Sequence, residues 1–210
     1  MFYCDGLNSK ELRFGDVIEG QHLYSLCLND KSSINDFNLK VDRCQYNVIL
    51  TPCCSIRDNN IVVSPLINVL TKFYLNPFFE EDLLRINKIN KPFNYIPPNE
   101  WDKKSNEEKN EIMLREECYA LTDLFIYDRN ELFAPYKITK FNPATHQKEQ
   151  IETNYYMIDF KNMYNIKLNT NNKLDNYLIK SKVLELSISA RRDLNHKLKA
   201  FYRIAQEDYE

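Results

Sequence analysis

The stretch from Val48 to Leu66 constrains the fold of this chain more than any other segment. Two apolar runs, Val48–Leu50 and Ile61–Val63, flank a polar segment that ends in Asp-Asn-Asn, a strong turn sequence. Pro52 follows the first run and Pro65 follows the second, and proline cannot donate a hydrogen bond to a β-ladder. The pattern therefore predicts two strands, each ended by a proline, that pair across the turn.

Strand signals also occur on both sides of this pair. Gly15 and Asp16 indicate a turn that leads into a first strand, and the polar stretch Asn29–Asn38 is typical of a loop. A hairpin is predicted from Ala120–Tyr127 to Glu131–Ala134. The remaining predicted strands are Leu23–Leu28, Gln45–Thr51, Tyr155–Phe160, Met163–Leu168 and Lys182–Leu186.

Three helices are indicated by their start signals. A helix is predicted to begin at Asn76, which is followed by proline and then by acidic residues. Ser105 and Glu108 have the spacing of a capping box, which opens a second, highly charged helix. Ser187 or Ser189 is expected to cap a last helix, in which apolar residues recur at helical spacing.

These elements predict an α+β protein built on an SH3-like small β-barrel. Barrel strands are expected from residues 12–66 and 120–186, with a helical insertion over 76–118 and a C-terminal helix over 188–206. A single domain is expected to span residues 1–210, since this length suits one large core. Aromatic residues make up 13% of the chain, which suits strands better than a helical bundle.

Composition narrows the classes of function. The net charge of −2 argues against a protein that binds polyanions over its whole surface. Three glycines are too few for a glycine-rich phosphate loop, and the sequence contains no P-loop, no G-x-S-x-G and no H-E-x-x-H motif. The start of the chain lacks a basic segment followed by an apolar one, and no apolar run is long enough to span a bilayer. A cytoplasmic protein with reduced thiols and no membrane contact is therefore expected.

The Cys53-Cys54 pair is the most chemically suggestive motif. A cysteine just past a strand end becomes a nucleophile when a neighbouring cation lowers its pKa, and Arg57 and Arg43 are near in sequence. The alternatives are a buried cysteine that acts as a small apolar residue, and a zinc ligand. Cys54 with Cys44 on a paired strand is the best zinc arrangement, but the sequence has no C-x-x-C pair.

The last helix carries a group of basic residues. From residue 137 onward Lys and Arg outnumber Asp and Glu, whereas acidic residues outnumber basic ones before it. A basic helix face either docks on phosphates or an acidic protein surface, or is simply solvated. The candidate binding residues on this helix are Arg191, Arg192, Lys197, Lys199 and Arg203.

Three motifs carry a resemblance to a group of uncharacterised bacterial proteins. These are Phe-Gly-Asp-Val-Ile, Val-Ile-Leu-Thr-Pro-Cys-Cys-Ser-Ile and Ile-Val-Val-Ser-Pro-Leu, together with the C-terminal helix. The group has a Gly-Asp-Ile start, a strand that ends in Cys-Asp, and a strand that ends in Pro-Leu. Cys54 matches the cysteine of that motif, while Ser55 stands where the group has aspartate. The resemblance implies a place beside mobile elements and defence loci.

The same motif order resembles the SH3-like barrel of toxin endoribonucleases. That family has an arginine before the second strand, for which Arg43 stands here, and a threonine after the Pro of the third. Ile67 and Asn68 occupy the corresponding positions, so the threonine is missing. The resemblance implies ribonuclease chemistry by Arg43 and groups on the barrel rim.

The sequence therefore predicts a non-enzymatic binding or accessory protein that contacts another protein or nucleic acid, with no cofactor. An endoribonuclease-like enzyme is the first alternative, and a thiol or zinc site at Cys54 is the second. Arg43 and Cys54 are the candidate catalytic residues. Asp16 joins the basic helix residues as a candidate binding residue, although a turn also explains its presence.

Overall fold

The computed structural model describes residues 1–8, 10–20, 22–28, 37–52, 56, 60–75, 86–87, 103–114, 123–142, 145–167 and 173–207. It confirms the α+β class: the strands pair antiparallel, and a long helix follows the last strand. The described strands form no closed barrel. None of the described helices is long and apolar enough to span a membrane.

Eleven strands and three α-helices are present within those ranges. The strands are β1 Val17–Glu19, β2 His22–Leu28, β3 Phe37–Arg43, β4 Tyr46–Ile49, β5 Asn60–Asn68, β6 Leu124–Tyr127, β7 Tyr136–Asn142, β8 Gln147–Thr153, β9 Tyr156–Asp159, β10 Tyr164–Lys167 and β11 Lys182–Leu184. The helices are α1 Asn106–Leu114, α2 Lys173–Lys180 and α3 Ile188–Glu207, and a 3₁₀ helix covers Thr71–Leu75.

The chain divides into two compact units that alternate along the sequence. The first unit consists of Met1–Cys4, Ile67–Asn162 and Leu186–Glu210, and the second consists of Asp5–Leu66 and Met163–Glu185. Each unit therefore combines segments that are far apart in sequence. The single domain over residues 1–210 stays a prediction.

An antiparallel sheet in the order β11-β1-β4-β5-β10 forms the centre of the second unit. The predicted pairing within the 48–66 stretch is confirmed, since Val48 lies opposite Ser64. The buried side chains of one apolar core are Leu12, Ile18, Leu23, Ile49, Ile61, Val63 and Leu178. The turn between β4 and β5 lies outside the described residues.

Pro65 does not end its strand, contrary to the expectation. β5 continues to Asn68, and Pro65 lies opposite Asn47 of β4. Leu50 donates its amide to the Val62 carbonyl at 2.8 Å, so these two residues form a hydrogen-bonded pair. Such pairs alternate with non-hydrogen-bonded pairs along an antiparallel ladder. Pro65 and Asn47 are three positions further along and therefore form a non-hydrogen-bonded pair. On the other edge, pairing with β10 stops at Val63. The missing proline N–H therefore removes no bond from the ladder with β4 or from the ladder with β10.

The second unit also contains the hairpin β2–β3, with Leu23 opposite Asp42. The strand β2 was predicted, but β3 begins at Phe37, inside the stretch that was expected to be a loop. Phe37, Leu39 and Val41 alternate with polar residues, which is itself a strand pattern, but a search for apolar runs does not detect it.

Four strands of the first unit form two separate pairs. β6 pairs with β9, so the predicted hairpin from Ala120–Tyr127 to Glu131–Ala134 is wrong. Residues 130–133 form a turn instead, in which Phe133 donates its amide to the Asn130 carbonyl at 3.0 Å. β7 and β8 form a long hairpin, which was not predicted because β8 is polar apart from Ile151. Its base joins an apolar core around Leu124, Ile126 and Met157.

Two helix starts are confirmed in atomic detail. The Ser105 amide donates to Glu108 Oε2 at 2.8 Å, and the Glu108 amide donates to Ser105 Oγ at 3.2 Å, which is a complete capping box. At the start of α3, the Ala190 amide donates to Ser187 Oγ at 3.3 Å, so Ser187 is the cap. The helix predicted from Asn76 lies outside the described residues apart from its end at Ile86.

Candidate functional site

A buried ammonium group is the centre of a charge network in the second unit. β11 pairs with β1 so that Lys182 lies opposite Ile18, a fully buried core residue. The Lys182 side chain is 1% exposed. Its Nζ donates to Asp16 Oδ2 at 3.0 Å, to Glu185 Oε2 at 3.2 Å and to the Glu11 carbonyl oxygen at 2.9 Å. Three acceptors match the three hydrogens of the ammonium, so this buried cation is fully satisfied.

Asp16 reaches this ammonium because of the turn that precedes β1. Gly15 has a φ of 86°, and the Asp16 amide donates to the Arg13 carbonyl at 3.1 Å, which closes the predicted turn. In return the Arg13 amide donates to Asp16 Oδ2 at 2.8 Å. Burial raises the pKa of Asp16 to about 6, against the opposing attraction of Lys182 and the Arg13 amide. Within the described part of the chain, Asp16 Oδ1 has no hydrogen-bond partner.

The network continues from the interior to the surface through alternating charges. Glu185, which is 3% exposed, accepts from Arg13 Nη1 at 3.2 Å and from the Asn8 amide at 3.0 Å. Arg13 also contacts Glu11 Oε1 at 2.9 Å, and this hydrogen bond lowers the pKa of the exposed Glu11 carboxyl. The exposed pair contributes little to stability, whereas breaking a buried pair leaves an uncompensated charge. The arrangement fastens the segment 8–16 to β11.

A second buried lysine corrects the predicted basic face of the last helix. Lys197 is 0% exposed, and its Nζ donates to the Leu124 carbonyl oxygen at 2.9 Å. It therefore cannot belong to a surface that docks on a partner. Arg191 is half-buried on the same helix.

The outward side of α3 does present basic groups. Arg192, His196 and Lys199 are exposed and recur every three or four residues, so they follow one another along the helix surface. Ile188 at the start of this stripe is 75% exposed, and Tyr202 near its end is 50% exposed. We call these five residues the outer face of α3. No ion pair of Arg192 or Lys199 is formed with any described residue.

The remaining predicted site residues lie in different places. Arg43 is exposed at the end of β3, opposite His22 of β2. Asp16 is buried, and its hydrogen-bond partners are Arg13 and Lys182. Cys54 lies outside the described residues, so the thiol and zinc hypotheses stay hypotheses. Cys44 is half-buried and packs against the core of the second unit.

The side chain of Arg203 is also outside the description, so its role in binding stays a prediction. The structure therefore brings together Arg192 and Lys199 among the predicted binding residues.

Sequence reasoning missed Lys182 and Glu185 as members of a network. The available signal was their position in Lys-Val-Leu-Glu-Leu, where charged residues interrupt a strand of otherwise apolar residues. A buried charge in such a strand requires a partner, which directs attention to other charges near strand ends.

Comparisons of this chain with protein-family models, with curated proteins and with solved structures found no match.

Proposed function

We propose that this chain is a non-enzymatic binding or accessory protein whose outer face of α3 contacts an acidic surface on a partner protein. The observation that carries the proposal is that one side of α3 combines two cations with two exposed apolar side chains. The cations are Arg192 and Lys199, and neither forms an ion pair with a described residue. The apolar side chains are those of Ile188 and Tyr202. Complementary charge steers such a partner and sets the register of docking.

The apolar residues at the two ends of the outer face of α3 favour a protein partner over nucleic acid. Tyrosine and arginine are enriched in the buried parts of protein interfaces. The exposed side chain of Ile188 is stabilised most when it packs against another apolar surface. Nucleic-acid binding rests mainly on several phosphate contacts. Arg192 and Lys199 alone supply few, so nucleic acid is the second choice of partner.

The proposal includes the finer predictions about fold and setting. These are an SH3-like barrel with strands from residues 12–66 and 120–186, a helical insertion over residues 76–118, a cytoplasmic location, and a role in a bacterial defence or toxin-type system. The motif resemblance supports the barrel and the defence role. The antiparallel order β11-β1-β4-β5-β10 supports the barrel alone, because it joins early and late strands.

Site-specific photocrosslinking in cells that naturally make the protein tests this proposal. A benzoylphenylalanine at Tyr202 probes the outer face of α3, and the same group at Tyr177 of α2 is a matched control, because the two tyrosines are 50% and 53% exposed. We expect a protease-sensitive adduct from position 202 that is absent from position 177. An adduct that is sensitive to nuclease instead would show that the partner is a nucleic acid. Equal labelling from both positions would refute the proposal that the outer face of α3 is the contact surface.

Charge reversal then tests the mechanism of contact. Arg192→Glu with Lys199→Glu is expected to abolish the adduct, whereas Lys10→Glu with Lys103→Glu makes the same change in net charge at other exposed surfaces. Loss of the adduct in both double variants would show only a general charge effect.

One observation, the position of Arg43, supports the alternative that the chain is an endoribonuclease-like enzyme. Arg43 is exposed, and the register places His22 directly across from it on the paired strand. Arginine binds phosphate and histidine serves as a general acid or base, and RNA cleavage uses both functions. Incubation of the purified protein with total RNA, alongside Arg43→Ala and His22→Ala, tests this alternative. Cleavage that survives both substitutions would argue against these residues.

A further inference from the structure

The β7–β8 hairpin of the first unit has an open edge along β8. β7 pairs with β8 over seven positions, and within the described ranges no strand lies on the other side of β8. Residues 147–150 and Glu152 are exposed. An edge of this kind presents unpaired backbone N–H and C=O groups to solvent and is a template for another strand.

Two exposed charges of opposite sign lie along this edge. Lys148 and Glu152 are four residues apart, so their side chains project from the same face of the strand. Neither forms an ion pair with a described residue. Glu149 differs, because it accepts a hydrogen bond from Asn142 Nδ2 at 3.2 Å within the hairpin.

The spacing of these charges makes the edge complementary to itself. If two copies of β8 run antiparallel with Gln150 at a two-fold axis, each Lys148 lies opposite Glu152 of the other copy. The symmetry produces this pair twice, and the two Gln150 amides meet at the centre. Opposite charges directly across an antiparallel ladder are stabilising, and like charges are destabilising.

We propose that the open edge of β8 is a homodimerisation site, at which two copies of this chain form a continuous four-stranded sheet. Backbone hydrogen bonds between the two β8 strands hold the copies together, as in other cases of strand addition. The paired Lys148 and Glu152 select the antiparallel register centred on Gln150, because a shift by two residues separates the opposite charges.

The charges on this edge have a second effect. Charged residues on edge strands protect against indiscriminate pairing, since an unrelated strand rarely matches them. Here one lysine and one glutamate exclude mismatched strands while accepting an identical one. An edge with two lysines or two glutamates would exclude its own copy as well.

Sedimentation of the full-length chain with two charge variants tests the proposal. Wild-type protein is expected to show a monomer–dimer equilibrium between about 10 and about 500 µM, in the range typical of small interfaces. Lys148→Glu and Glu152→Lys each replace two attractive pairs with two repulsive ones, so each is expected to weaken dimerisation about ten-fold or more. Lys10→Glu and Glu131→Lys are matched exposed controls at other surfaces and are expected to leave it unchanged.

Mixing the two variants provides the decisive measurement. One strand then carries two glutamates and the other carries two lysines, so both cross-strand pairs become attractive again and a heterodimer is expected with near wild-type affinity. Circular dichroism of each variant verifies that it is folded. A wild-type chain that stays monomeric, variants that dimerise as well as the wild type, or a mixture that does not restore association would each overturn the proposal.

Discussion

The substitution Asp16→Asn tests the buried charge network through its effect on the pH dependence of stability. Asp16 is 0% exposed and its pKa is about 6, compared with 3.8 in an unfolded chain. Because the folded-state pKa is raised, the folded protein binds more protons than the unfolded chain between these values, and stability decreases as the pH increases through that interval.

The magnitude follows from the shift of about 2 pKa units. Each unit corresponds to 1.36 kcal/mol, so the contribution of Asp16 to the free energy of unfolding decreases by about 3 kcal/mol in all, of which about 2 kcal/mol is lost between pH 4 and pH 7. The side-chain amide of the Asp16→Asn variant cannot ionise. Subtracting the stability of this variant from that of the wild type at each pH therefore isolates the titration of Asp16 from that of all other groups.

Urea unfolding followed by circular dichroism over this pH range is the assay. Lys182→Met is expected to extend the decrease to higher pH, because the ammonium of Lys182 opposes the upward shift of the Asp16 pKa. Glu108→Gln is a control with the opposite pH dependence. The hydrogen bond from the Ser105 amide lowers the pKa of Glu108, so the contribution of Glu108 to stability is lost as the pH falls. A wild-type minus Asp16→Asn difference that is flat, or that increases with pH, would refute the reasoning.

Three further substitutions probe local features by urea unfolding. Gly15→Ala is expected to lower the free energy of unfolding by about 1 to 2 kcal/mol, because Gly15 has a φ of 86° that side chains disfavour; an unchanged midpoint would contradict a strained turn. Ser105→Ala removes the capping box of α1 and is expected to cost about 1 kcal/mol, with Ser105→Asp as the variant that retains a cap. Ile49→Ala is expected to cost about 2 to 5 kcal/mol, because Ile49 is 0% exposed in the core of the second unit, and a loss below about 1 kcal/mol would show that the core closes around the gap.

Local signals in the sequence were sufficient where the physics is local. The capping box at Ser105 and the turn at Gly15 join residues only three positions apart, and both were predicted from residue type alone. Strand partners depend on distant residues, which explains why β6 was matched with the wrong neighbour although its own position was found. The β7–β8 hairpin escaped prediction because β8 is exposed over most of its length, so its sequence lacks the alternation that burial of one face produces.

The same distinction between local and long-range contacts applies to the residues of the candidate site. Arg192 and Lys199 are seven residues apart in one helix, so their spacing alone is sufficient to place them on the same side of α3. The same spacing did not reveal that Lys197 points inward, since this depends on β6 and its Leu124 carbonyl. Asp16 and Lys182 are 166 residues apart, and no pattern in one sequence joins them.

The alternation of the two units has a consequence for the order in which this protein is able to fold. The chain crosses from one unit to the other after Cys4, Leu66, Asn162 and Glu185. During synthesis, β1 finds its partner β4 soon, but its other partner, β11, emerges more than a hundred residues later. No contiguous fragment consists of one complete unit alone, so limited proteolysis or truncation would yield parts that lack their own strand partners rather than separable domains.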